Sequence, residues 1–210
     1  MYKKVYSLLF LFISFNCYSI DIEFSYTLLN GTKGSINIPN DIIEINAFKG
    51  NMNFIRTNGE VINLRTISPM VEIHGIEYLN SLYRMELSMQ LNGSEIINFL
   101  KNDSLEYLFL DYITLANMDF LLYFPKLKYL GLQSIKYNCT KMDFKNSQIQ
   151  YFIVSYIQSD NEIKLVKNNN LKDFVIFYSN IKIEDNQDVK IIDNYNDFIN
   201  EQKYFKRFMW

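Results

Sequence analysis

Side chains able to do acid–base, nucleophilic or metal chemistry are scarce in this 210-residue chain. His74 is the single histidine. A Ser-His-Asp triad or an imidazole-ligated metal would rest on that one ring, and its place beside Gly75 reads as a turn or strand edge. Cys139 has no histidine near it in sequence and follows a strand-like run, so it reads as a packing thiol and not as a nucleophile. Glu184, Asp185 and Asp188 crowd together in EDNQD but lack the spacing and the glycine of a calcium loop; a solvated loop is the expectation. No glycine-rich phosphate loop is present, and the lysines are scattered. The expectation is therefore no catalytic residue, no metal and no cofactor. Four N-x-S/T sites, at Asn30, Asn92, Asn102 and Asn138, bear on glycosylation only in a eukaryotic secretory route.

Recognition chemistry is better represented, because polar and aromatic residues recur at a fixed interval. Counting from Leu82, Leu105, Leu127, Ile149 and Leu171, the residue two places on is Arg84, Tyr107, Tyr129, Tyr151 and Asp173. Two further on stand Glu86, Phe109, Gly131, Ile153 and Val175, then Ser88, Asp111, Gln133, Ser155 and Phe177. If those five segments stack as strands about 4.8 Å apart, each set becomes a column on one face. Tyrosine-rich exposed surfaces favour interaction. The candidate ligand-binding residues are Arg84, Glu86, Tyr107, Phe109, Asp111, Tyr129, Gln133, Tyr151, Ile153 and Phe177.

The elements that must position them follow from the apolar pattern. Leu105, Leu108 and Leu110 have the spacing L-x-x-L-x-L, which returns at Leu127-Leu130-Leu132, Ile149-Phe152-Val154 and Leu171-Phe174-Ile176, and precedes them at Leu82-Met85-Leu87. The starts lie 23, 22, 22 and 22 residues apart, a period that marks a solenoid. One such turn cannot bury its own apolar face, so the turns must stack. IHGIEYLNSLYRMELS, with Ile73, Ile76, Leu79, Leu82, Met85 and Leu87 pointing inward, resembles the internalin type of bacterial leucine-rich repeat. IPNDIIEINAFKGN, residues 38–51, resembles a BspA-like repeat and is a candidate divergent first turn.

That resemblance implies an α/β fold, a short leucine-rich repeat solenoid with a parallel β-sheet on its concave face and short helices or turns on its convex face. SEIINFLKN (94–102) and ANMDFLLYFPK (116–126) carry helical or 3₁₀ spacing; KMDFKNSQ and NEIKLVKNN read as loose turns. The sequence departs from the family eight residues after each start, where Gln90, Ile113, Ile135, Ile157 and Ser179 replace the usual asparagine or cysteine. Residues 20–72 read as an N-terminal β cap, with hairpins around Asn30-Gly31 and Asn58-Gly59. Residues 73–188 are the repeats, and 189–210 a C-terminal cap.

The front of the chain reads as an export signal: Lys3 and Lys4, an apolar run over 5–15, and Ser19 before a cleavage point. That run is too short to span a membrane, which takes about 20 residues. Removal of residues 1–19 takes the formal charge from −2 to −4, which excludes an electrostatic nucleic-acid binder. Expected is a non-catalytic, secreted or cell-surface protein that binds a protein or glycan through its concave face. The alternative is an envelope-anchored structural protein, lipidated at Cys17, acting as a spacer or assembly unit.

Overall fold

The computed structural model describes residues 21–88, 100–166, 168–177, 179, 181–183 and 190–191. Its spine is a nine-stranded sheet. Six strands of the parallel part run in step: β3 (Ile42–Phe48), β7 (Arg84–Ser88), β8 (Tyr107–Asp111), β10 (Tyr129–Gln133), β13 (Tyr151–Ser155) and β15 (Asp173–Phe177), with β17 (Lys190–Ile191) after them. Registers are unbroken from strand to strand, so Ile45, Met85, Leu108, Leu130, Phe152 and Phe174 form one inward column. Ala47, Leu87, Leu110, Leu132, Val154 and Ile176 form a second, and all twelve side chains are buried.

The backbone ties between coils repeat as the sequence does. The Tyr83 carbonyl accepts from the amides of Glu106 and Tyr107; Glu106 does the same for Lys128 and Tyr129, Lys128 for Gln150 and Tyr151, and Gln150 for Lys172 and Asp173. Each strand thus begins pinned to the coil before it.

The helical outer face implied by the leucine-rich resemblance is overturned: the fold is a β-solenoid of stacked parallel coils, not α/β. Among the described residues the only helical segments are two 3₁₀ turns, Ile76–Tyr78 and Asp119–Tyr123. Away from the spine the described residues form further short β segments. β9 (Thr114–Leu115) pairs with β11 (Lys136–Tyr137), and β12 (Lys141–Asp143) pairs with β14 (Ile163–Val166), which pairs with β16 (Ile181–Ile183). Against the expectation of loose turns, KMDFKNSQ opens with a strand at Lys141–Asp143 before its turn and NEIKLVKNN holds one at Ile163–Val166, because Met142 and Phe144, and Ile163 and Leu165, alternate into the core. In 116–126 neither end of the 3₁₀ turn has a side-chain cap and Pro125 follows at once, so no α-helix grows. Most of 94–102, residues 1–19 with Cys17, the EDNQD acids and most of 189–210 lie outside the described residues.

The N-terminal part is three hairpins, one of them turning out of β3 through Lys49 and Gly50, and a crossing. β1 (Asp21–Leu28) and β2 (Lys33–Pro39) turn through Gly31, and β4 (Asn51–Arg56) and β5 (Val61–Arg65) turn through Gly59; both glycines hold φ near +80°. β6 (Met70–His74) pairs with β1. β4 and β5 extend the large sheet beyond β3 as antiparallel strands, giving the order β17-β15-β13-β10-β8-β7-β3-β4-β5. Residues 38–51 therefore supply the first parallel strand, set 40 residues ahead of β7 by the β4–β6 insertion. Among the described residues no helix is long and apolar enough to cross a membrane.

Candidate functional site

The outer face of the nine-stranded sheet carries the columns read from the sequence. Their first members sit on β3 to β5: Glu44 precedes Arg84, Asn46 precedes Glu86, and Phe48 precedes Ser88. Asn63, Asn53 and Asn46 continue one row, with Asn63 Nδ2 donating to Asn53 Oδ1. The face divides into a polar half on β3 to β7 and an aromatic half on β8 to β15.

In the polar half Arg84 is 5% exposed. Its guanidinium lies 3.0 Å from Glu86 Oε1 and 3.4 Å from Glu44 Oε1, and Asn46 Nδ2 donates to that same Glu44 oxygen at 2.8 Å. A buried cation between two carboxylates is neutralised where it stands. Asp111 accepts from Ser88 Oγ at 2.8 Å through Oδ2, while its buried Oδ1 has no protein donor. Burial, with Glu86 nearby, raises its pKa against the lowering pull of the Ser88 and Tyr112 donors.

A raised carboxyl binds its proton more tightly folded than unfolded, so it subtracts stability at neutral pH, and the loss is relieved as pH falls through the folded value. Asp111→Asn should accordingly raise the urea midpoint at pH 7. The gain should vanish below about pH 3.9, where both states of the wild type are protonated. An unchanged midpoint at pH 7 would show that the charge is satisfied by solvent.

In the aromatic half the tyrosines form a ladder. Tyr107 and Tyr129 stack at 4.0 Å between centroids and 4° between planes, and Tyr129 and Tyr151 at 4.5 Å and 3°. Tyr83 closes the near end, 4.6 Å from Tyr107. Tyr107 is buried at 5% exposure, whereas Tyr129 and Tyr151 are half-buried. Burial, then hydrogen bonding with Tyr83 and Tyr129, holds the Tyr107 hydroxyl far above the ordinary tyrosine range. Phe109 lies across Gly131, where any Cβ would collide with its ring. Ile153, Val175 and Phe177 are buried in a small cluster of their own, apart from the main core, with Tyr151 packed against it. Gln133 is half-buried at the end of β10. The recess between Arg84, Tyr107, Phe109, Tyr129 and Ile153 has a volume of about 10 Å³, room for one water and no small molecule.

The remaining chemistry-bearing residues stand apart from this face. His74 is exposed on β6, its Nε2 3.0 Å from Glu72 Oε1. Cys139 is half-buried against the core as a free thiol. Asn102, one of the four N-x-S/T sites, is 1% exposed with its side chain fully engaged, so it cannot carry a glycan in this fold. Among the described residues no three His, Cys, Asp or Glu side chains gather as a metal site.

Sequence reasoning missed the left-handed corners that follow β3, β8, β10 and β13. Lys49, Tyr112, Ser134 and Tyr156 all hold φ between +46° and +53°. Tyr112, Ser134 and Tyr156 are spaced by 22 residues, a signal that was available in the repeat register. With Thr114, Gln133, Lys136 and Gln158 they line an open cleft of about 460 Å³.

Comparison of the chain with family models, with curated proteins and with solved structures finds no match.

Proposed function

We propose that this chain is an exported, non-catalytic solenoid that holds a protein partner against the outer face of its nine-stranded sheet. The observation that carries the proposal is the tyrosine ladder beside a charged, half-buried polar half. Tyr129 has both ring faces covered by Tyr107 and Tyr151, so the column offers edges and hydroxyls outward. Edges with neighbouring carboxylates and amides suit a protein surface; stacking on a flat sugar would need an open ring face. The shallow recess supports the same choice. The leucine-rich resemblance adds a recognition role by analogy only, and Lys3, Lys4 and the apolar run over 5–15 motivate export.

A photo-crosslinking residue at Glu86 or Tyr151, compared with one at Lys164 on β14, tests the surface in the exported protein. Adducts of one defined mass at the two sheet positions, absent at Lys164, are the expected result. Equal labelling at all three would sink the reading. The mass of the exported product should also lack residues 1–19; full retention of them removes the export part.

A further inference from the structure

Beyond the sheet face, and resting on the reading of this chain as a binding module, we infer that the corner cleft is a saccharide-binding slot with a preference for acidic sugars. Tyr112 and Tyr156 sit two coils apart with Ser134 between them, all three left-handed in backbone. The Tyr112 amide donates to the Gln133 carbonyl, the Ser134 amide to that of Ser155 and the Tyr156 amide to that of Phe177, which keeps the three corners in one column. Bulky residues seldom accept positive φ, and a strained position that is kept points toward use of the side chain it presents.

Here the strain presents tyrosine. Tyr112 is 55% exposed and Tyr156 43%, more open than Tyr107, Tyr129 and Tyr151, with the Tyr156 ring set edge to face against Phe177 at 5.6 Å between centroids. Two coil steps place their attachment points about 9.5 Å apart. One saturated ring, in contact at about 4 Å with an aromatic wall on either side, fits that interval. The small Ser134 leaves the floor open, where a third tyrosine would have filled it. Gln133, Gln158 and Thr114 supply neutral donors and acceptors for hydroxyls, and Lys136 is the single charge among the lining residues. Among the described residues no carboxylate lines the cleft, which speaks against a basic peptide. Aromatic walls, neutral amides and one cation match a ring that is apolar on its faces, hydroxylated on its rim and carries a carboxylate. The cleft volume of about 460 Å³ lies in the range of small-ligand sites.

The test is calorimetric titration of the intact protein with a galacturonate tetramer and, in parallel, a neutral glucose tetramer. Saturable binding is expected with the acidic tetramer tighter than the neutral one. Tyr112→Gly and Tyr156→Gly should each weaken it about tenfold; Tyr112→Gly should leave the melting temperature unchanged or higher, because glycine accepts positive φ without strain, whereas Tyr156→Gly also loses the ring contact with Phe177. Gln158→Ala, on the exposed rim and outside the left-handed positions, should weaken both tetramers with the fold untouched. Lys136→Ala should erase the acidic preference alone. No saturable heat with either tetramer up to about 10 mM, or wild-type affinity in both glycine variants, overturns the slot. Sheet-face crosslinks without saccharide binding would sink the slot only; saccharide binding without those crosslinks would sink the sheet reading only.

Discussion

Asn102→Ala is expected to lower the free energy of unfolding by roughly 3–5 kcal/mol, read as a lower urea midpoint at unchanged slope. The side chain is 1% exposed and works as a five-bond staple between coils. Its Nδ2 donates to the carbonyls of Ile76 at 2.7 Å and Leu79 at 3.1 Å. Its Oδ1 accepts from the amides of Ser104 and Leu105 at 2.9 Å each and from Ser104 Oγ at 2.8 Å. Truncation leaves the Leu105 amide buried without its partner, at about 1–3 kcal/mol, on top of the cavity and the other lost bonds, while the Ile76 carbonyl keeps the Leu79 amide at 3.1 Å. Leu79 is partly protected, since Ser104 Oγ also donates to its carbonyl. Asn168 repeats the motif three coils on, donating to the carbonyls of Ser147 and Ile149 at 3.0 Å. It is only half-buried, so water can replace the lost bonds and Asn168→Ala should cost about 1–2 kcal/mol. Equal losses at the two sites would mean that burial is not what makes the staple strong.

The same staple shows how far the fold could be read from the chain. The L-x-x-L-x-L spacing located β7, β8, β10, β13 and β15 because those residues obey two rules together, strand alternation and a constant period. Eight residues after each start the sequence puts mostly apolar residues in place of a polar tie, and Ile113, Ile135 and Ile157 are buried there, while Ser179 Oγ still accepts from the Ile157 amide at 3.2 Å. The amide tie had moved to three residues before the start, at Asn102 and Asn168. Asparagine stands there before three of the last four starts, at Asn102, Asn146 and Asn168, with a buried Phe124 before the other, so a periodic signal was present, although the exposed Asn146 shows that the residue type alone does not mark a tie.

The outer segments misled for a different reason. Apolar residues three and four apart in DFLLYF satisfy both a helix and a tight 3₁₀ turn, and the 22-residue coil that contains it already holds the five-residue β8 and the two-residue β9, with Pro125 closing it, so no length is left for three helical turns. The corner cleft stayed invisible because its left-handed residues are tyrosine and serine. Glycine would have announced the turn; Tyr112, Ser134 and Tyr156 do not.

The tyrosine column was legible as a column but not as a packed ladder, and that difference changes which substitution can report on binding. Tyr107→Ser should cost about 3–4 kcal/mol, since the ring is 5% exposed, stacked on Tyr129 and tilted against Tyr83. Tyr151→Ser should cost nearer 1–2 kcal/mol, because that ring is only half-buried where it stacks on Tyr129 and rests on the Ile153 cluster. Loss of capture in a variant lacking all three rings would therefore confound a damaged fold with a damaged surface, whereas Tyr151→Ser with a near-native melt isolates the surface. The hydroxyl gives an independent check on Tyr107. Its folded pKa lies above the ordinary value, so its contribution is complete below about pH 10 and erodes as pH climbs from there toward the folded value. Tyr107→Phe keeps the stacking and removes the titration, and should flatten the alkaline limb of the stability curve. An alkaline limb identical to wild type would place Tyr107 in contact with solvent and return the column to an open aromatic surface.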